Sequence, residues 1–465
     1  MRSDNTRCTR RGAHGGARQC LELAIDGSSN KKALFGQTEN HHQTCPQVSE
    51  LLRASPTMSF AFATICALAV PFLVYARIVA YTVGPGAKRF VLLTPVLVVN
   101  VAAPLFLIDQ EKEVFAAAIA IANFGWWTNF KIIALACGRG QLVSGTGKTR
   151  LTTPSFLALA ALPVKFATVP DPYRANAPDT SRTDTRSKSK RITDDSRNAR
   201  KTGHTAFESA AGVLCKLVLL AGCMALLPAL AAAESQIFLK SNTVRNFVLS
   251  FTLYFALGAL FDAGSVVGLL LFKTQTSLHF DLPFLSHSFS NFWAKRWNLV
   301  AGRSLIDAVY LPILEGRWVR EEPRGNLRST RGVTKISSRK SQEQDSPTRR
   351  LLGTHACFAM SGLMHEYVFW ALRVDRIDGI EMWPGWFTFF AVQAPLVCLE
   401  YLLAKKTERV AIPVSPTLFR ITQTVTFLVA QLWLANIFFF PPLTRNGLDQ
   451  RMIEDIRRLL GFQQM

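Results

Sequence analysis

His365-Glu366 is the pair in this chain best placed to do chemistry. It lies inside Leu351–Leu372, an otherwise apolar run long enough to cross a bilayer. An ionisable group in such a run is a functional hypothesis by default. His365 in that run is therefore a catalytic candidate. Just before it, Ser361-Gly362-Leu363-Met364 supplies small residues that allow close helix approach. Glu366 receives no role, because adjacent side chains on a helix diverge. A packed, hydrogen-bonded histidine is the structural alternative for His365 taken alone.

A second block, Asn291-Phe292-Trp293-Ala294-Lys295-Arg296-Trp297-Asn298, mixes aromatics with cations. If helical, it sets Trp293 and Trp297 four residues apart on one face and points Asn298 about 100° away. Such a segment suits the headgroup boundary as an anchor. Its character equally suits the meeting place of a charged acyl donor and an apolar acceptor. Three further charges fall inside apolar runs. Lys216, near a run's start, is expected to snorkel outward, and Lys131 to reach an interface. Asp262, in mid-run, needs a polar partner inside the bundle.

The elements that must position these residues are long apolar helices. Of the 465 residues, 49% are hydrophobic and 18% charged, with a net charge of +21. Soluble domains carry about 25% charge. Eight runs approach or exceed the roughly 20 residues of a membrane helix: Phe60–Val83, Phe90–Ile108, Val114–Ala136, Ala210–Ala233, Phe247–Phe272, Leu351–Leu372, Trp383–Ala404 and Ile421–Phe440. Ser155–Pro170 is shorter and holds Pro163 and Lys165, which fits a re-entrant or interfacial piece as well as a ninth span. The expected fold is all-α and polytopic, with about eight or nine spans.

Charge is segregated from this apolar matter. The polar segments Met1–Thr57, Asp171–His204 and Gly316–Arg350 together carry +13 of the +21. Residues 1–57 lack the apolar core of a signal peptide and read as a basic tail or an over-long gene model. Residues 58–450 form the membrane domain, with basic loops 171–204 and 316–350, and 451–465 a short C-terminal tail. If Ser155–Pro170 does not cross, the basic loops share one side, cytoplasmic by the positive-inside rule. Their basicity is explained by topology and anionic lipid headgroups, and no nucleic-acid partner is expected.

Other motifs fail on inspection. Ser144-Gly145-Thr146-Gly147-Lys148-Thr149 has Leu142 where a phosphate loop needs glycine, and an apolar helix rather than a strand precedes it. His41-His42 lacks the Asp and Gly of the His-His-x-x-x-Asp-Gly pattern. Nine cysteines form no CxxC pair, so no metal site is expected.

Two blocks together resemble the membrane-bound O-acyltransferase (MBOAT) superfamily, in particular its plant-type wax synthase branch. They are Phe292-Trp293-Ala294-Lys295-Arg296-Trp297-Asn298 with Ala308-Val309-Tyr310-Leu311-Pro312, and Ser361-Gly362-Leu363-Met364-His365-Glu366. Weaker echoes are Cys137-Gly138-Arg139-Gly140-Gln141-Leu142 and Phe438-Phe439-Phe440-Pro441-Pro442-Leu443. The similar region runs from about residue 59 to 450. Ala294 and Lys295 replace the Gly and Arg usual in the branch, and lysine has no bidentate fork.

The resemblance implies esterification of a long-chain alcohol by acyl-CoA, in the endoplasmic reticulum membrane, with no cofactor beyond that co-substrate. It implies His365 as general base and Asn298 as a substrate-orienting or oxyanion-steadying amide. Phe292, Trp293, Lys295, Arg296 and Trp297 are its substrate-binding candidates. Sterols, diacylglycerols and terpenoid alcohols are alternative acceptors. A polytopic transporter or lipid-binding protein is the reading from another class.

Overall fold

A segment surrounded by lipid has no water to satisfy its peptide groups, so a long apolar run adopts the helix, which pairs them internally. The computed structural model describes residues 59–143, 151–165, 206–233, 242–272, 276–320, 346–372, 385–407, 415–445 and 447–459. The basic tail at 1–57, the loop Asp171–His204 and the Ser144–Thr149 motif lie outside these residues, as does most of Gly316–Arg350.

Among the described residues the chain is helical and polytopic. The helices are α1 (Ser59–Thr82), α2 (Ala87–Leu107), α3 (Val114–Ala120), α4 (Asn129–Ala136), α5 (Thr153–Ala161), α6 (Ala206–Ala233), α7 (Asn242–Phe272) and α8 (Phe289–Lys295). They continue with α9 (Leu299–Leu305), α10 (Leu311–Glu315), α11 (Pro347–Ala371), α12 (Gly385–Thr407), α13 (Pro416–Leu434), α14 (Phe440–Arg445) and α15 (Leu448–Leu459). Three wider π-helical stretches link α3 to α4 (Ile121–Thr128), α9 to α10 (Ile306–Tyr310) and α13 to α14 (Ala435–Phe439).

Six helical stretches among the described residues are long and apolar enough to cross a membrane: Ala63–Thr82, Ala87–Leu107, Glu208–Pro228, Thr243–Leu271, Gly385–Leu403 and Thr417–Arg445. That is fewer than the eight or nine expected, and the difference has two sources. Val114–Ala136 is helical throughout but carries Asn123, Thr128, Asn129 and Lys131, and α11 likewise carries polar residues, so both are diluted in apolarity. α5 rises only about 13 Å over its nine residues, against a hydrocarbon core of about 30 Å. It is too short to span.

Lipid is as apolar as leucine, so helices in a membrane are held by close packing and internal polar contacts. α6 lies along α7 in this way. Lys216 of α6 pairs with Asp262 of α7, and glycines make the room. A Cβ on Gly212 would sit 3.1 Å from the Asp262 carboxylate, and one on Gly258 2.8 Å from the Lys216 stem. The outward reach expected of Lys216 is therefore replaced by an ion pair, which is also the partner Asp262 requires. Lys131 likewise turns inward, donating to the carbonyls of Leu159 (2.6 Å) and Leu162 (2.7 Å) at the end of α5. Those carbonyls close a helix terminus and lack intrahelical donors.

Two arginines fix the ends of the helices. Arg89 donates to the carbonyls of Val83, Ala80 and Leu135, tying α1, α2 and α4 together. Arg139 makes a bidentate pair with Glu315 (2.9 and 2.8 Å). This fastens the Cys137–Gln141 turn, whose Gly138 and Gly140 have positive φ, to the end of α10. The C-terminal α15 is amphipathic and docked: Asp455 accepts the Phe115 N–H at 3.0 Å, Arg457 donates to Met224, and Asp449 pairs with Arg245.

Candidate active site

His365 owes its position to the contact of α11 with α12. Gly362 meets the Phe387 backbone so closely that a Cβ there would lie 2.9 Å from the Phe387 Cα. The close approach expected of the small residues is present. Glu366, next in sequence to His365, meets the same residue and accepts the Phe387 N–H at 2.9 Å. It supplies one of the acceptors that a helix N-terminus lacks. Glu366 thereby seats the first turn of α12 beside the histidine.

The His365 Nδ1 lies 2.7 Å from the Ser361 carbonyl oxygen. A carbonyl only accepts, so Nδ1 carries the proton and the neutral ring keeps its lone pair on Nε2. His355, one helical stretch earlier, makes the same bond to Leu351 at 2.9 Å but is exposed. What distinguishes His365 is its enclosure. Phe390 stacks on it at 4.1 Å between centroids, Trp126 meets it edge-on at 4.9 Å and Trp386 at 6.0 Å. These three rings belong to three different apolar clusters. His365 is the polar group at their junction.

The Phe-Trp block is held by its own caps. Ser288 accepts the Asn291 N–H, and the Glu400 carboxylate accepts those of Phe289 (2.7 Å) and Ser290 (2.9 Å). The expectation of one helix through Asn298 fails. α8 stops at Lys295, and Asn298 takes a left-handed conformation (φ 39°, ψ 62°) that opens α9. Asparagine tolerates that backbone better than most side chains. Its Oδ1 accepts the Ala301 N–H at 3.1 Å, capping α9. As a result Trp297 stacks on Phe292 (5.4 Å) instead of pairing with Trp293.

Rings join this block to the histidine. Trp293, whose indole donates to Gln393 at 2.9 Å, contacts Phe390, and Phe390 stacks on His365. In the other direction Trp126 leads through Trp127 and Phe261 to Phe280. Phe280 meets Trp297, and Phe292 closes the path to Trp293. His365, Trp293, Phe292 and Trp297 thus share one closed aromatic circuit. Asn298 adjoins it in sequence, and among the described residues it shares no hydrogen bond with His365.

The two cations of the block differ. Lys295 is exposed. Arg296 is committed to Asn291 Oδ1 (2.8 Å) and the Asp281 carbonyl (2.8 Å), so it fixes the loop before α8. Burial, and then the charges of Arg420, Arg296 and Lys295, hold His287 below the usual imidazole range. Lys295 and Arg420 are exposed, and the Glu400 carboxylate acts on His287 in the opposite sense.

Sequence reasoning missed several groups: Glu366, Glu400 and Gln393 as anchors, and Trp126 as a wall of the histidine site. The adjacent pair Trp126-Trp127 after Gly125, in a run otherwise rich in Ala and Ile, was the available signal. No cluster of metal-ligating side chains occurs among the described residues.

Residues 276–391 match the membrane bound O-acyl transferase family. That stretch contains the Phe-Trp block, Asn298 and His365. Over that stretch, about a quarter of its length, the chain is similar to this family. Among the proteins to which the chain is similar is acyl-CoA--sterol O-acyltransferase 1 of Arabidopsis thaliana. It is 25% identical over 399 residues, which cover 85% of this chain and 94% of that protein. The long-chain-alcohol O-fatty-acyltransferase of Simmondsia chinensis is 24% identical over 418 residues, 87% of this chain and 95% of that protein.

Proposed function

We propose that this membrane O-acyltransferase joins the acyl group of acyl-CoA to a long-chain alcohol, with His365 as general base. The observation that carries the reading is the Ser361 bond, which leaves the Nε2 lone pair of His365 as the available base in an aromatic enclosure. In this scheme Nε2 takes the alcohol proton as the oxygen attacks the thioester carbon. The new C–O bond forms while the carbonyl pair moves onto oxygen. Collapse then breaks the C–S bond, and the departing CoA sulfur receives the proton from His365. The products are an ester and free CoA.

Asn298 fits a supporting role. Its Oδ1 is occupied by the Ala301 N–H, so its NH₂ remains to orient the acceptor or steady the developing oxyanion. The exposed cations Lys295 and Arg420 suit attraction of polyanionic CoA. Both substrates carry long apolar parts, worth about 0.8 kcal/mol per buried CH₂, so a site among membrane helices receives them from the lipid side.

A second reading, acylation of a sterol, rests on the Arabidopsis relative, whose match spans nearly the whole of both chains. An acceptor panel separates the two. Microsomes containing the full chain are supplied with labelled acyl-CoA and either hexadecanol, a sterol or diacylglycerol. The first reading expects wax ester as the main product. Steryl ester as the main product would favour the second, and no ester from any alcohol would overturn both.

A further inference from the structure

The Trp126 indole N–H is buried and has no acceptor among the described residues, although the side chain is only 5% exposed. An unsatisfied buried donor costs about 1–3 kcal/mol, so it calls for an explanation. Trp127 beside it is in the same condition at 3% exposure. Only Trp126 borders the histidine, edge-on at 4.9 Å, and its N–H is not spent on His365.

The backbone around Trp126 is also unusual. It belongs to the π-helical stretch Ile121–Thr128, and such stretches cluster at functional sites. Gly125 brings this stretch against Tyr367 of α11, where a Cβ would lie 3.4 Å from the ring. Tyr367 is two residues beyond His365 on the same helix. The π stretch is thus registered against the element that carries the base, and its free donor is held in place before any substrate arrives.

We infer that the Trp126 indole N–H is a catalytic hydrogen-bond donor to the carbonyl oxygen of the acyl donor. The inference rests on the acyl-transfer reading and adds a residue to it. As the alcohol oxygen bonds to the thioester carbon, charge moves onto the carbonyl oxygen, and a preorganised donor in a site without bulk water stabilises it. The N–H keeps its proton throughout, so the transfer balances as before: the alcohol proton goes to His365 and then to the CoA sulfur.

The test compares the full-length wild-type protein in lipid nanodiscs with Trp126→Phe. A second variant carries benzothienylalanine at position 126, which keeps the bicyclic shape but replaces N–H by sulfur. kcat and KM are measured with acyl-CoA and the preferred alcohol, together with Tm. Both variants are expected to lose about 100-fold in kcat, the scale of one oxyanion donor, with KM and Tm little changed. Trp433→Phe, an exposed indole on α13, is the control and retains wild-type rates. The inference is overturned if benzothienylalanine restores the rate that phenylalanine loses, which would make the role one of shape. It is equally overturned if both variants stay within threefold of wild type, or if only KM rises. Wild type inactive on every alcohol would instead remove the acyl-transfer reading, and this inference with it.

Discussion

Glu366 accepts the Phe387 N–H at 2.9 Å. The carboxylate beside the candidate base is thus committed to the first turn of the neighbouring helix, which His365 also contacts through Trp386. Glu366→Gln keeps an acceptor and should retain activity within about fivefold. Glu366→Ala leaves the N–H unpaired, at a cost of about 1–3 kcal/mol, and should lower both Tm and turnover. Equal behaviour of the two variants would contradict the anchoring role.

Gly362 faces the Phe387 backbone as well as its ring. A methyl group there would lie 2.9 Å from the Phe387 Cα and 3.0 Å from its carbonyl oxygen. Gly362→Ala should therefore separate α11 from α12, with a loss of about 1–3 kcal/mol. Gly222→Ala on α6, with nothing within 4 Å of the added carbon, should leave Tm unchanged or slightly higher. Comparison of the two unfolding temperatures checks the prediction.

The Lys216–Asp262 pair predicts a characteristic pattern. Asp262→Leu alone leaves a cation inside the bundle and should cost about 3–5 kcal/mol. The double variant Lys216→Met, Asp262→Leu removes both charges and should recover most of that loss. A double-mutant cycle on Tm is the measurement, and simple additivity would refute the coupling.

His287 gives the pH prediction. Burial and the nearby cations lower its pKa in the fold below the ordinary 6.5. The unfolded chain therefore binds the proton more readily, and stability falls as pH drops below about 6.5. His287→Asn should flatten Tm between pH 7.5 and pH 5.5 relative to wild type. An unchanged slope would show that His287 does not contribute.

Much of this arrangement was legible in the residues themselves, for reasons that differ by element. Long apolar runs dictate helices because lipid leaves no alternative for the backbone, and a histidine in such a run is conspicuous by cost alone. The close packing at Gly362 followed from side-chain size. Pairings across the chain were not legible: Lys216 and Asp262 lie 46 residues apart, and nothing local says that they meet. Helix periodicity misplaced Trp297, because it carries no information about the left-handed turn at Asn298. Trp126 was overlooked because an indole in an apolar run is ordinary in composition, whereas its unpaired N–H exists only in three dimensions.

Ester formation by His365→Ala, measured against wild type and His355→Ala in nanodiscs, tests the central claim most directly. His355 makes the same bond to its own helix but is exposed, so its loss should leave the rate near wild type. His365→Ala should lower ester formation by about 10²- to 10⁴-fold, the usual worth of a positioned general base, while Tm and acyl-CoA affinity persist. A folded His365→Ala protein that forms ester at more than about a tenth of the wild-type rate would contradict the account.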